Sequence, residues 1–216
     1  MKIRSQDELL RFIEQERVWR IREIVELKKA CVASGVSAPL RAAQRRAFLP
    51  LAYAHWEGFT KKVGQAYLDY VATQRLKLSE LAPCFQSIYL SIEIANGLRP
   101  TNRQSSRLII DHLEAQRDTK IHLKSQGVIS TRDNLNSKVL SEICENLGFD
   151  SSEFSELVPF IDKILLGKRN SIAHGDNIQI EESLIDEVSK KVVECIDIFR
   201  EKIENSAQEA AFRKKP

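Results

Sequence analysis

The sequence predicts an all-α fold, a single-domain helical bundle of about six or seven helices, because its apolar residues recur at helical spacing through most of the chain. Only eight glycines and six prolines are spread over 216 residues. Between them run long stretches rich in Leu, Ala, Glu, Lys, Arg and Gln, residue types that favour helix over sheet. A chain of this length with 43% hydrophobic residues can bury one good core, and nothing in it demands a second domain.

Ser5 or Asp7 can cap a first helix that runs to about residue 33, with Leu9, Phe12, Ile13, Trp19, Ile24 and Leu27 as its apolar stripe and Ser34-Gly35 as its end. A second long helix is predicted over 38–74, kinked or divided at Leu49 by Pro50, with Leu51, Ala54, Phe59, Val63, Ala66, Tyr67 and Val71 facing the core. A turn at Leu81-Ala82-Pro83 precedes a helix over 84–96, which Gly97 and Pro100 stop. Thr101 or Asn102 begins the next, to about residue 116, through Leu108, Ile109 and Leu113.

Over 118–133 the helical pattern weakens. Lys120-Ile121-His122-Leu123 alternates like a short strand and Gly127 signals a turn, so the segment reads as a small hairpin or an irregular loop. Asn134 or Asn136 caps a helix through Leu140, Ile143 and Leu147 to Gly148. Ser151-Ser152 introduces a helix over 155–174 with Leu157, Ile161, Ile164, Leu165 and Ile172, and a last amphipathic helix over 182–205 follows through Leu184, Val188, Val192, Ile196, Phe199 and Ile203. The domain is thus expected to occupy 1–205, and 206–216, ending Arg213-Lys214-Lys215-Pro216, to form a flexible basic tail.

Composition narrows the function classes. Thirty-three Lys and Arg against 30 Asp and Glu leave a net charge of +3, too small to argue for nucleic acid by itself, so any RNA-binding surface must come from local clustering. Cys31, Cys84, Cys144 and Cys195 are dispersed without a C-x-x-C pair and read as reduced thiols of a cytoplasmic protein, not as a zinc or disulfide framework. The charged N-terminus has no apolar h-region and no run approaches about eighteen apolar residues, so neither secretion nor a membrane span is expected. No H-E-x-x-H, P-loop, G-x-G-x-x-G or G-x-S-x-G pattern occurs, and His112 and His122 match no metal spacing; no metal and no cofactor are expected.

The most informative stretch is Arg169-Asn170-Ser171-Ile172-Ala173-His174-Gly175, which places a permanent cation, an amide and an imidazole at the end of a helix. Asn170 and His174 are i and i+4 neighbours on one face, whereas Arg169 and His174 lie ~140° apart, so Arg169 needs to curl round or the helix to distort if they are to share a site. Gly175 suits a left-handed C′ position. The residues alone also fit a plain helix end, with Arg169 solvated and His174 meeting carbonyls.

Arg169, Asn170 and His174 in this spacing resemble the R-x4-H signature of the HEPN superfamily of all-α proteins, whose active members are metal-independent RNases that usually work as dimers. Tyr53-Ala54-His55-Trp56-Glu57-Gly58-Phe59, then Asn134-Leu135-Asn136 with Val139-Leu140 and Leu147-Gly148, resemble the MAE-type (RiboL-PSP) HEPN subgroup of bacterial conflict and RNA-repair settings. The likeness runs from about Asp7 to Phe199, and its companion segment Tyr53 to Phe59 turns the reading of the motif from a plain helix end to a functional site.

It implies an endoribonuclease with Arg169, His174 and Asn170 as catalytic residues, acting on RNA as a homodimer through the motif helices, with an antitoxin or other defence-system partner protein. His55 stands evenly between support of the motif helix and a satisfied core histidine; Glu57 and Asp176 are weaker supporting candidates, and Arg45, Arg46 and Lys168 are candidate RNA contacts unless they are merely a solvated face. In superfamily toxins controlled by nucleotidyltransferase antitoxins a tyrosine lies two residues after the motif histidine; here that residue is Asp176, so the resemblance lends no support to control by tyrosine adenylylation. The rival readings are a non-catalytic HEPN module that binds RNA or protein, and a helical adaptor whose basic tail contacts nucleic acid.

Overall fold

The computed structural model describes residues 3–98 and 103–215, and it is all-α. Among the described residues seven α-helices follow in order: α1 (Gln6–Val32), α2 (Ala38–Thr73), α3 (Pro83–Ala95), α4 (Arg103–Gln116), α5 (Ser137–Leu147), α6 (Lys168–Ala173) and α7 (Glu182–Gln208). The long helices α1, α2 and α7 pack against one another, α6 rests on α2, and α3 pairs with α5. No helix among the described residues is long and apolar enough to cross a membrane.

Ser5 caps α1 by accepting the Glu8 amide proton at 3.2 Å. Leu9, Ile13, Ile24 and Cys31 are buried and Phe12 and Leu27 pack beside them, but Trp19 is 43% exposed. Its neighbour Arg20 points inward instead, 3% exposed. Burial of that guanidinium is tolerable because it donates to the Glu16 carboxylate at 2.5 Å and to the His55 carbonyl at 3.1 Å. Gly58 makes the room: a Cβ there would stand 3.2 Å from Arg20 Nη2.

Helix α2 is the central element, and Pro50 does not divide it. Losing one backbone donor is offset where most of the helix from Phe48 to Val71 is packed in the core. The core stripe differs from the predicted one at its start: Leu51 is 40% exposed and Ala54 is exposed, while Leu49, Ala52, Tyr53 and Trp56 point inward. Trp56 meets Phe154 and Phe199 at centroid distances of 6.0 and 6.2 Å, joining α2 to α7.

The predicted start of α4 at Thr101 or Asn102, and the stop at Pro100, lie outside the described residues. Leu113 packs on the core, but Leu108 is exposed. The segment 118–133 is irregular: Leu78 and Ile121 make backbone bonds across to Thr119 and Leu76 at 3.2 and 3.1 Å, and one isolated antiparallel bridge joins Lys77 to Lys120. Its alternation is real, since Ile121 and Leu123 are buried and His122 and Lys124 exposed, yet no hairpin partner forms among the described residues. The segment closes with Arg132 and Asp133 both left-handed, at φ 52° and 56°. Asn136, rather than Asn134, caps α5 through the Val139 amide at 2.8 Å.

Where the spacing predicts one regular helix over 155–174, three geometries follow each other. A 3-10 stretch (Ser152–Leu157) leads into a π-helix (Phe160–Gly167), and only then does α6 begin. A π-helix of this length is unusual, and such segments recur at functional sites. Its Asp162 carboxylate accepts from the Ser137 amide at 2.7 Å and the Ser137 hydroxyl at 2.6 Å, tying the π-helix to the first residue of α5.

The C-terminal residues are packed rather than tail-like. Helix α7 runs past 205 to Gln208, Ser206 and Ala207 are buried, and Phe212 is 2% exposed with its ring 5.8 Å from that of Tyr70. Backbone bonds from Ala82 to Phe212 and from Lys214 to Glu80, both 2.8 Å, hold the segment down. One buried aromatic anchors what its basic ending disguises.

Candidate functional site

Six residues make up α6, and its end is closed by a Schellman motif: Asp176 donates its amide to the Ser171 carbonyl and Gly175 to the Ile172 carbonyl, each at 3.0 Å, with Gly175 at φ 90°. His174 is the C-cap, and its side chain is exposed at the corner where the chain turns off the helix. Asp176 is exposed too, and its part in the site is the backbone bond of that turn.

Arg169, on the first turn of α6, is held from several sides. Its guanidinium carbon lies 4.6 Å over the Tyr53 ring of α2. Nη1 donates to Asn170 Oδ1 at 2.7 Å and to Asn134 Oδ1 at 3.5 Å, and Nη2 donates to the Asp133 carbonyl at 3.4 Å. Among the described residues, two of the five N–H donors of the fork, on Nε and Nη2, are left for an anion. The left-handed residues Arg132 and Asp133 turn that carbonyl and the Asn134 amide towards the guanidinium.

Tyr53 anchors the same loop. Its hydroxyl accepts the Leu135 amide proton at 2.6 Å, and burial pushes its pKa up to about 12, with Glu57 adding to the rise and Leu135 and Arg169 opposing it. Glu57 lies one turn on from Tyr53, and one of its carboxylate oxygens is buried without a hydrogen-bond partner among the described residues. Tyr53, Glu57, Asn134, Asn170 and Arg169 therefore form one connected group.

Other residues singled out by the sequence are placed elsewhere. His55 faces α1: its ring meets Trp19 edge-on at 5.3 Å, its Nε2 is 3.5 Å from the Glu23 carboxylate, and burial lowers its pKa. These contacts are to α1, not to the motif helix. Arg45 binds Glu182 at 2.7 Å and the Cys31 carbonyl at 3.4 Å, a link between α2, α7 and α1 rather than a free cation. Arg46 reaches Asn177 Oδ1 at 3.1 Å, three residues after His174, and Lys168 is half-buried beside Arg169.

Arg169 does not curl round to His174. Among the described residues no side-chain hydrogen bond joins Asn170 to the imidazole: its Oδ1 accepts from Arg169, and its link to His174 is the backbone bond at 2.9 Å. Within one protomer the cation and the imidazole are separate groups on the surface of one short helix. Among the described residues no group of three His, Cys, Asp or Glu side chains could hold a metal ion.

Spacing could not have singled out Tyr53, Asp133 or Asn134 as neighbours of Arg169, since they come from segments more than thirty residues away in the chain. The signal was there in another form: the Y-A-H-W-E-G-F and N-L-N segments are the two that meet the motif. A family model described as RiboL-PSP-HEPN matches residues 15–205. No curated protein and no solved structure matches the chain.

Proposed function

We propose that this chain, which belongs to the RiboL-PSP-HEPN family, is a metal-independent endoribonuclease whose active site is completed by a second copy. The supporting observation is the state of Arg169: oriented by Tyr53, Asn134 and Asn170, with two N–H donors unused among the described residues, beside a helix end that presents His174 to solvent.

Packing two α6 helices antiparallel across a two-fold axis gives two imidazoles and two guanidiniums in one composite site. One His174 takes the proton of the 2′-hydroxyl as its oxygen attacks the phosphorus; the other, protonated, gives a proton to the 5′-oxygen as the P–O5′ bond breaks. The Arg169 pair holds the phosphate oxygens, where negative charge accumulates. Products are a 2′,3′-cyclic phosphate and a 5′-hydroxyl. By resemblance to its superfamily the enzyme acts as a toxin or effector in bacterial defence, held by an antitoxin or another partner protein.

Incubating the protein with mixed-sequence RNA in EDTA and reading the fragment ends tests this. Cyclic phosphate and 5′-hydroxyl ends are expected; 5′-phosphate ends, or cleavage only with added divalent metal, contradict it. The separation of Arg169 from His174 within a protomer favours the second reading, a non-catalytic HEPN module that binds RNA or protein, if the chain proves monomeric.

A further inference from the structure

Two clefts, of about 870 and 750 Å³, run along α2 and share Ile3, Asp69 and Gln126 as lining residues. Their floor is apolar, with Ile3, Ala72 and Leu123 in one and Ala66 and Ile129 in the other, while the rim carries Arg4, Lys61, Arg75 and Lys124. The carboxylates present are already engaged: Glu16 pairs with Arg20 and Lys62, and Asp69 accepts from Ser125 and from Gln65. None of the four rim side chains has a carboxylate partner among the described residues.

Arg75 carries a second mark. It is left-handed at φ 48°, a conformation that side-chain-bearing residues seldom adopt, and the next residue, Leu76, is buried and bound through its carbonyl to Ile121. The fold thus keeps an arginine where a glycine would sit more easily.

The clefts share two elements with the Arg169 group. Along α2 a ridge of residues four apart, Tyr53, Glu57, Lys61, Gln65 and Asp69, winds from beneath Arg169 into the clefts, about 24 Å at a rise of about 1.5 Å per residue. The loop that forms their wall, with Ile129 close against Gly64, continues directly into Asp133 and Asn134, which hold Arg169. One helix and one loop therefore build both places.

We infer that these clefts bind the RNA strand flanking the cut, phosphates at Arg4, Lys61, Arg75 and Lys124 and unpaired bases on the apolar floor, an inference that rests on RNA being this protein's ligand. A single strand fits because only unpaired bases can reach an apolar floor while the backbone tracks a cationic rim. The helix and loop that lead from the clefts to Arg169 favour RNA over an acidic peptide, which the same cations would attract.

The test is binding of a labelled uridine-rich RNA to the full chain carrying His174→Ala, by fluorescence anisotropy over a range of salt. Adding Arg75→Gly, which suits the left-handed backbone, and Lys124→Gln should weaken binding and lower the slope of log K against log salt by about 1.4, at about 0.7 for each phosphate left without its cation. Arg75→Lys with Lys124→Arg should restore both, and Lys29→Gln, on a lysine already paired with Glu26 on α1, should change neither. Unchanged affinity and slope in the double variant would overturn the inference, as would displacement of the RNA by polyglutamate at equal charge. If these RNA effects appear while the wild-type chain cleaves no RNA, the cleft stands and the nuclease reading fails.

Discussion

Arg169 lies over Tyr53, its guanidinium carbon 4.6 Å from the ring centroid, and the hydroxyl of that same tyrosine fixes the loop whose Asp133 and Asn134 bind the other edges of the guanidinium. One side chain of α2 thus sets both the floor and the wall of the arginine's seat. The cation is oriented before any phosphate arrives, which reduces the ordering that binding must supply.

Tyr53→Phe keeps the ring under Arg169 but removes the acceptor of the Leu135 amide, a residue fully buried in the core. Leaving that donor unmet should lower stability by about 1–3 kcal/mol, read by urea unfolding. Tyr53→Ala should cost more, and should reduce RNA cleavage further than Tyr53→Phe, because the cation–π seat goes as well. Equal stability of Tyr53→Phe and wild type would show that the loop is held by something else.

Asp162 joins the π-helix to α5 by accepting two bonds from Ser137. Since the loop that holds Arg169 leads directly into α5, Asp162→Ala should loosen that loop as well as cost about 1–3 kcal/mol. Asp162→Asn, which keeps one acceptor oxygen, should fall between. A variant that unfolds at the wild-type urea concentration and cleaves RNA at the wild-type rate would show that the π-helix has no part in seating Arg169.

His55 gives a pH dependence with a definite sign. Burial lowers its folded pKa below the ordinary value near 6.5, with Glu23 opposing and Arg20 reinforcing the shift, so the unfolded chain binds more protons in the window below 6.5. Stability from this group is present above the unfolded pKa and is lost as pH falls from there towards the folded one. His55→Gln should flatten the fall in unfolding free energy between about pH 7 and pH 5.5 relative to wild type; a parallel pair of curves would exclude His55 as a source of it.

Legibility in the sequence followed the range of the interactions. Local chemistry was readable to within a choice of neighbours: Ser5 caps where Ser5 or Asp7 was offered and Asn136 where Asn134 or Asn136 was, Gly148 ends α5, Gly175 is the left-handed stop, and the amphipathic runs of α5 and α7 lie where residue type and spacing put them. Long-range pairings were not. An arginine can replace Trp19 on the inner side of α1 only because Gly58 of another helix leaves space for it, and Phe212 can hold the C-terminal segment only because Tyr70 and the Ala82 amide await it. The π-helix likewise departs from the 3.6-residue period on which the expected motif helix rests, so helical spacing does not give the angle between Arg169 and its surroundings.

Whether catalysis is built on His174 is decided by the rate of RNA cleavage in EDTA by wild type and His174→Ala, with circular dichroism and unfolding curves to confirm that both are folded. The His174 side chain is exposed and makes no hydrogen bond or ion pair among the described residues, and its part in ending α6 is a backbone bond, so the fold should survive. Loss of a general acid and base should lower the rate by about 10²–10⁴-fold or more. Cleavage by the variant within a few-fold of wild type would contradict a site built on His174.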